Sequence, residues 1–408
     1  MALIMQRIYQ HIFTEHLTSY RQMIFVMGPR QSGKTTVAQQ MVAQSNNGFY
    51  LNWDNINDRE KIINGPNGIA KAMNFETLTT NTPLVVFDEI HKFNLWRDFL
   101  KGFYDSYPNK CHILVTGSAK LDVFNRGGDS LMGRYFPFHF HPLTVAELVQ
   151  KGVNKNQEYW SEPKPLDNDQ FEALWEFGGY PDPFLKQSYT FSRRWRKLRS
   201  QQLFSEDIRD LTRIQDIDRL ELLAEKLKQQ VGSLTSYQSF ATQLRVSDNT
   251  IRHWLTTLKI LYYCFSISPW SNNVNRSILK EPKYYLWDWS LCQNEGMKAE
   301  NMVALHLLKA VNYWNDIGLG DYGIYFIRDK EKREVDFIVI KNNNPWILVE
   351  VKLSNNQGIT SSMRYFYESL KPDFAFQVVF NMNYVHKNCF ETNGIHIVPA
   401  TTFLSQLI

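Results

Sequence analysis

A glycine–lysine turn set between an apolar strand and a helix constrains this 408-residue chain more than any other feature. Residues 28–35 read Gly28-Pro29-Arg30-Gln31-Ser32-Gly33-Lys34-Thr35, the pattern G-x-x-x-x-G-K-[ST]. MIFVM precedes the turn, and the helix-compatible run TTVAQQMVAQ overlaps its end. That context is what the pattern needs to cradle phosphate groups. Glycines let the chain curl without Cβ clashes, so backbone N–H groups converge on the phosphates. The helix start adds its dipole. Lys34 is expected to place a point charge at the β- and γ-phosphates of ATP, and the Thr35 hydroxyl to ligate Mg²⁺. Thr36, the next residue, completes the expected loop contacts.

Leu84-Val85-Val86-Phe87-Asp88-Glu89 is an apolar strand that ends in two carboxylates. Asp88 fits the Mg²⁺ ligand of such a site, and Glu89 the base that orients the attacking water. A third apolar run, 112–116, ends in Thr116-Gly117-Ser118. There Thr116 and Ser118 either sense the γ-phosphate or form an ordinary turn. Apolar runs at 24–27, 49–52, 84–88 and 112–116 alternate with helical stretches. The pattern predicts an α/β fold over 1–150, a parallel sheet with helices on both faces.

The succession of phosphate loop, DEIHK, VTGSAKLD and SLMGRYFPFHFHPLTVAEL resembles the AAA-type ATPases of many prokaryotic chains, which carry a C-terminal domain of unknown function. The resemblance extends over nearly the whole chain. It implies ATP hydrolysis with Mg²⁺, and makes Arg134, in Gly133-Arg134, a candidate arginine finger. Such ATPases commonly assemble into rings, where Arg134 would act on a neighbouring subunit. The other reading of Arg134 is a surface ion pair.

Residues 151–230 are expected to hold a polar linker and a helical region with a basic cluster, Arg193, Arg194, Arg196, Lys197 and Arg199. In 231–290, Tyr237, Phe240 and Leu244 share one helical face, and Ile251, Trp254, Leu255 and Leu258 recur at helical spacing behind the caps Ser247 and Asp248. This resembles a helix-turn-helix with CFSISPW as the wing of a winged helix. Either Asn249, Thr250, Arg252 and His253 face DNA, or the module packs against protein.

Residues 291–408 begin with a helix and continue as strands. Glu350 and Lys352 are two residues apart, so both leave the same strand face, and Asp336 lies on the preceding strand. Glu300, on the helix, is a further carboxylate. Together they resemble the PD-(D/E)xK nuclease core. The resemblance implies a second divalent metal on Asp336, Glu350 and Glu300, with Lys352 orienting water. Glu334-Val335-Asp336 replaces the family's Pro-Asp dipeptide.

Charge and cysteine content narrow the setting. Lys and Arg total 45 against 41 Asp and Glu, a net charge of +4, which permits a basic face without demanding one. No apolar run reaches the ~20 residues of a membrane span. Cys111, Cys264, Cys292 and Cys389 form no CxxC, which points to a reducing cytoplasm. Two functions fit. One is an ATPase coupled to a nuclease-like domain acting on DNA or RNA. The other is a regulatory ATPase whose C-terminal domain binds protein or nucleic acid without cutting.

Overall fold

The computed structural model describes residues 6–73, 75, 82–117, 131–150, 160–211, 214–271, 281–356, 358–391 and 393–408. The chain divides into two compact units, Met1–His141 and Pro142–Ile408.

In the first unit, strands β1 (Met23–Met27), β2 (Gly48–Asn52), β3 (Leu84–Asp88), β4 (His112–Thr116) and β5 (Tyr135–His139) pair in the order β2-β3-β4-β1-β5, all parallel. Helices α1 (Ile8–Ser19), α2 (Lys34–Gln44), α3 (Ile56–Ile63), α4 (Gly65–Ala72) and α5 (Trp96–Ser106) flank them. This is the α/β parallel sheet that the alternating pattern predicts. Every residue of β1 and β3 is buried, which is why both read as continuous apolar runs. The strand absent from the sequence reading, β5, lies at the sheet edge and contains Pro137, a residue tolerated there because it need not donate to a second neighbour. On α5, Trp96, Phe99, Leu100, Phe103 and Tyr104 form one apolar stripe, and Phe87 meets Phe99 and Phe103 edge-on with centroids 5.5 Å apart.

Register fixes what lies at the carboxyl edge of the sheet. Asn52 pairs with Asp88, Asp88 with Thr116, and Thr116 with Val26. The ends of four strands therefore form one row beside the turn that follows Met27.

The second unit opens with α6 (Val145–Val149) and continues through α7 (Asn168–Phe177), α8 (Pro181–Lys186), α9 (Tyr189–Gln202) and α10 (Ile217–Gln229). Helices α11 (Tyr237–Leu244) and α12 (Asp248–Ile260) follow, the second capped by Ser247, whose side chain accepts from the Thr250 N–H. Strands β6 (Cys264–Ile267) and β7 (Lys283–Leu286) make an antiparallel ribbon. The 22-residue helix α13 (Glu295–Asp316) leads into β8 (Tyr322–Arg328), β9 (Glu334–Lys341), β10 (Asn344–Lys352), β11 (Phe374–Val379) and β12 (Ile395–Pro399), with α14 (Ser361–Leu370) and α15 (Ala400–Gln406). These strands form a mixed sheet in the order β12-β11-β10-β9-β8, antiparallel from β8 to β10 and parallel from β10 to β12.

Helix α13 buries unusual polarity. Lys309 reaches Glu147 at 2.6 Å and the Thr144 hydroxyl at 2.9 Å, with both charged side chains almost fully enclosed. His306 Nε2 accepts from the Val145 N–H at 3.1 Å, and burial pushes its pKa down to about 3. These bonds anchor residues 144–147 within the second unit.

Candidate functional site

The turn between β1 and α2 adopts the backbone that a phosphate cradle requires. Gln31 and Gly33 lie at φ 61° and 103°, in the left-handed region. At Gly28 a Cβ would come within 2.2 Å of the Phe140 carbonyl oxygen, so only glycine fits between β1 and the chain leaving β5. Pro29 is buried, Arg30 is half-buried, and the buried Ser32 turns its hydroxyl inward to the Pro29 carbonyl at 2.8 Å. Lys34 Nζ donates to the carbonyls of Gly28 and Pro29 at 2.9 and 2.7 Å, which holds its charge in the curl of the loop. Thr35 and Thr36 are exposed at the start of α2.

Asp88 is buried at the end of β3 and accepts three hydroxyls. Thr35 Oγ1 donates at 2.9 Å, and Tyr50 and Thr116 donate from the neighbouring strands. Burial, followed by the bond to Asp88, pushes the Tyr50 pKa well above the ordinary phenol range, so the phenol keeps its proton. The adjoining hydroxyl and carboxylate of Thr35 and Asp88 are a hard-oxygen pair suited to Mg²⁺. Bound there, the ion would neutralise phosphate charge.

Glu89 follows in a left-handed conformation, φ 55°, and its N–H donates to the Thr116 carbonyl at 3.1 Å. A non-glycine residue at such a φ marks strain that the surroundings impose. Burial raises the Glu89 pKa against the opposing pull of Lys92, whose Nζ lies 3.4 Å from its carboxylate. Raised basicity is the property a water-orienting carboxylate uses. Thr116 stands in the same row, while Ser118 lies outside the described residues.

Arg134 is placed elsewhere. It precedes β5, and its carbonyl accepts from the N–H of Met23, the first residue of β1, so it sits at the opposite end of β1 from the phosphate loop. Its guanidinium forms two 2.9 Å bonds with Asp105. A strand of five residues spans ~16 Å, so Arg134 does not reach the loop of its own subunit.

An arginine absent from the sequence reading does touch the loop. Arg7, 5% exposed, donates to the carbonyls of Ser32 at 2.8 Å and His141 at 2.6 Å, and lies 4.6 Å from the Phe140 ring centroid. It ties the loop to the chain leaving β5. No local motif marks Arg7, because its partners are 25 and 134 residues away.

The C-terminal carboxylates occupy a separate region of the second unit. Asp336 accepts from the Val351 N–H at 2.8 Å, which brings it against the strand bearing Glu350 and Lys352. Lys352 Nζ pairs with Glu350 Oε1 at 2.9 Å, and Thr360 donates to Glu350 Oε2. Glu300 Oε1 takes the Tyr285 hydroxyl at 2.7 Å and Lys283 Nζ at 3.3 Å. Burial, then Glu300, pushes the Asp336 pKa up to about 7. Among the described residues no group of three or more His, Cys, Asp or Glu side chains could hold a metal ion. Each of the expected ligands Glu300, Asp336 and Glu350 accepts at least one protein donor.

In the basic cluster, Arg193, Arg194 and Lys197 are exposed, but Arg199 turns inward, 3.9 Å from the Tyr180 ring centroid and 3.8 Å from Asp288. On α12, Asn249, Arg252 and His253 are exposed, and Arg252 lies 4.0 Å from the Tyr237 ring centroid.

Family comparison agrees with the first of these sites. An AAA domain matches residues 20–149, and two domains of unknown function, DUF8612 and DUF4143, match 168–300 and 295–403. Uncharacterized proteins of Mycobacterium bovis and Mycobacterium tuberculosis are each 22% identical over 361 residues, covering 84% of this chain and 72% of their own. AMPPCP-bound DnaA from Aquifex aeolicus aligns at 14% identity over 61% of this chain and 86% of its own, with a TM-score of 0.31. PCH-2 of C. elegans aligns at 12% identity over 41% and 54%, with a TM-score of 0.25. Likeness at those TM-scores is too slight to build on. The AAA-domain match over the phosphate loop identifies an AAA-type P-loop ATPase domain, which takes ATP. No described helix is long and apolar enough to cross a membrane.

Proposed function

We propose that this chain is an ATP-hydrolysing switch whose second unit binds a macromolecular target without cutting it. One observation carries the first half: Thr35, Asp88 and Thr116 are bonded in one row, with Glu89 following in a strained turn. In this reading Lys34 and the loop N–H groups hold the phosphates, Thr35 and Asp88 hold Mg²⁺, and Glu89 accepts the proton of the attacking water. Thr116 reports the γ-phosphate through its bond to Asp88. Arg134 belongs to this scheme only in an assembly, where it would face a neighbour's nucleotide.

Coupling has a covalent route. The chain leaves β5 through His141, whose carbonyl is held by Arg7, and enters residues 144–147, which Lys309 and His306 anchor in the second unit.

Nucleic acid is the target class that the helix pair favours. Helices α11 and α12 and the β6–β7 ribbon follow the order of a winged helix, and Asn249, Arg252 and His253 stand exposed at the start of α12. The non-cutting reading is supported by the ammonium groups on the C-terminal carboxylates, Lys283 on Glu300 and Lys352 on Glu350.

The test measures ATP turnover, DNA and RNA binding, and strand cleavage in Mg²⁺ or Mn²⁺ for wild type, Lys34→Ala and Asp336→Ala. Turnover and binding without cleavage are expected, with ATP affinity falling about 10–100-fold in Lys34→Ala, the scale of a lost charge-assisted bond. Unchanged ATP affinity in that variant would reject the loop assignment, and cleavage lost in Asp336→Ala would reject the non-cutting reading.

A further inference from the structure

Among the C-terminal acids lies a buried lysine that the sequence reading passes over. Lys283, 3% exposed, comes from β7, and its Nζ is 2.8 Å from Glu334 Oε1 and 3.3 Å from Glu300 Oε1. Its position is built by the fold. Asn301, beside Glu300 on α13, accepts from the Leu286 N–H at 2.7 Å and donates to the Leu286 carbonyl at 2.8 Å. That clamp fixes the register of β7 against α13. Strand alternation then sends Lys283 and Tyr285 to the same face, and both meet Glu300 Oε1.

Two of the acids in this cluster already meet cations. Glu334 divides its oxygens between Lys283 and Arg328, the latter at 2.7 Å. Two cations thus meet the carboxylates of Glu300 and Glu334. A divalent metal entering this cluster would be repelled by the ammonium already on Glu300 Oε1, in surroundings that screen charge poorly.

We infer that Lys283 is the resident cation of the C-terminal acidic site, holding the place of a divalent metal, so that the unit takes no metal on Asp336. The inference concerns the second unit alone and stands whether or not the P-loop turns ATP over.

The experiment titrates the nucleotide-free full chain with Mn²⁺, following free Mn²⁺ by electron paramagnetic resonance and melting temperature in parallel. Thr35→Ala identifies binding at the P-loop, and Asp336→Asn identifies binding at the acidic cluster. Wild type is expected to show no Mn²⁺ site that Asp336→Asn removes, and to melt alike in Mn²⁺ and EDTA. Lys283→Met should gain such a site, with affinity at least about tenfold above wild type and a melting temperature that rises with Mn²⁺. If uncompensated carboxylates prevent that variant from folding, Lys283→Met with Glu300→Gln restores balance and should fold without gaining Mn²⁺ affinity. A wild-type Mn²⁺ site lost in Asp336→Asn and kept in Thr35→Ala would overturn the inference. So would a Lys283→Met protein as stable as wild type that gains no Mn²⁺ site.

Discussion

The P-loop and the C-terminal cluster both combine a lysine with carboxylates, yet they are wired in opposite ways. Lys34 donates to backbone carbonyls of its own loop, and Asp88 accepts from three hydroxyls that carry no charge. Lys283 instead lies between Glu300 and Glu334, and Lys352 pairs with Glu350. The first surrounds its carboxylate with neutral donors, and the second pairs its carboxylates with ammonium groups. Matching residue types therefore predict chemistry only when their partners are known, because a neutralised carboxylate has little left to offer a metal.

The largest effect that would sharpen this contrast is at Glu89. Glu89→Gln should bind ATP like wild type while turnover falls about 10²–10⁴-fold, the usual worth of a positioned base. Nucleotide-binding fluorescence and phosphate release separate the two, and unchanged turnover would move the base elsewhere.

Arg7 comes next. Arg7→Ala strands the Ser32 and His141 carbonyls and should cost on the order of 2 kcal/mol of stability. As a positioning residue it should raise KM for ATP more than it lowers kcat, with partial rescue in Arg7→Lys. A thermal shift without any change in KM would reduce Arg7 to a structural brace.

The smallest effect is a pH slope in the second unit. His306 has its pKa at about 3 in the folded protein, below the ordinary 6.5. As pH falls, the unfolded chain takes up this proton first, so stability is lost from about pH 6.5 down to about pH 3. His306→Gln should flatten the slope by up to about 1.4 kcal/mol per pH unit, read from urea denaturation at several pH values. An identical slope in both proteins would mean that His306 is protonated in the native state.

How much could be read in advance differed between the regions for a physical reason. The phosphate loop is local: glycines, a lysine and a threonine within eight residues, flanked by a strand and a helix, leave one workable geometry. Asp88 and Glu89 were legible because a buried parallel strand must be apolar up to its end. Tyr50 was not, since its role depends on β2 lying beside β3, a pairing that no local pattern states.

Arg134 and Lys283 mark the limit from both sides. A Gly-Arg pair suggests an arginine finger, but parallel pairing with β1 carries Arg134 to the far end of the strand from the loop. Lys283 belongs to no motif, and only the clamp of Asn301 on Leu286 brings it to Glu300. The sequence by itself determined the ATPase sheet, its phosphate loop and its acidic strand end, because each follows from short-range periodicity and chain geometry. Only the tertiary structure decided which charges remain available, because neutralisation depends on partners brought together across tens or hundreds of residues.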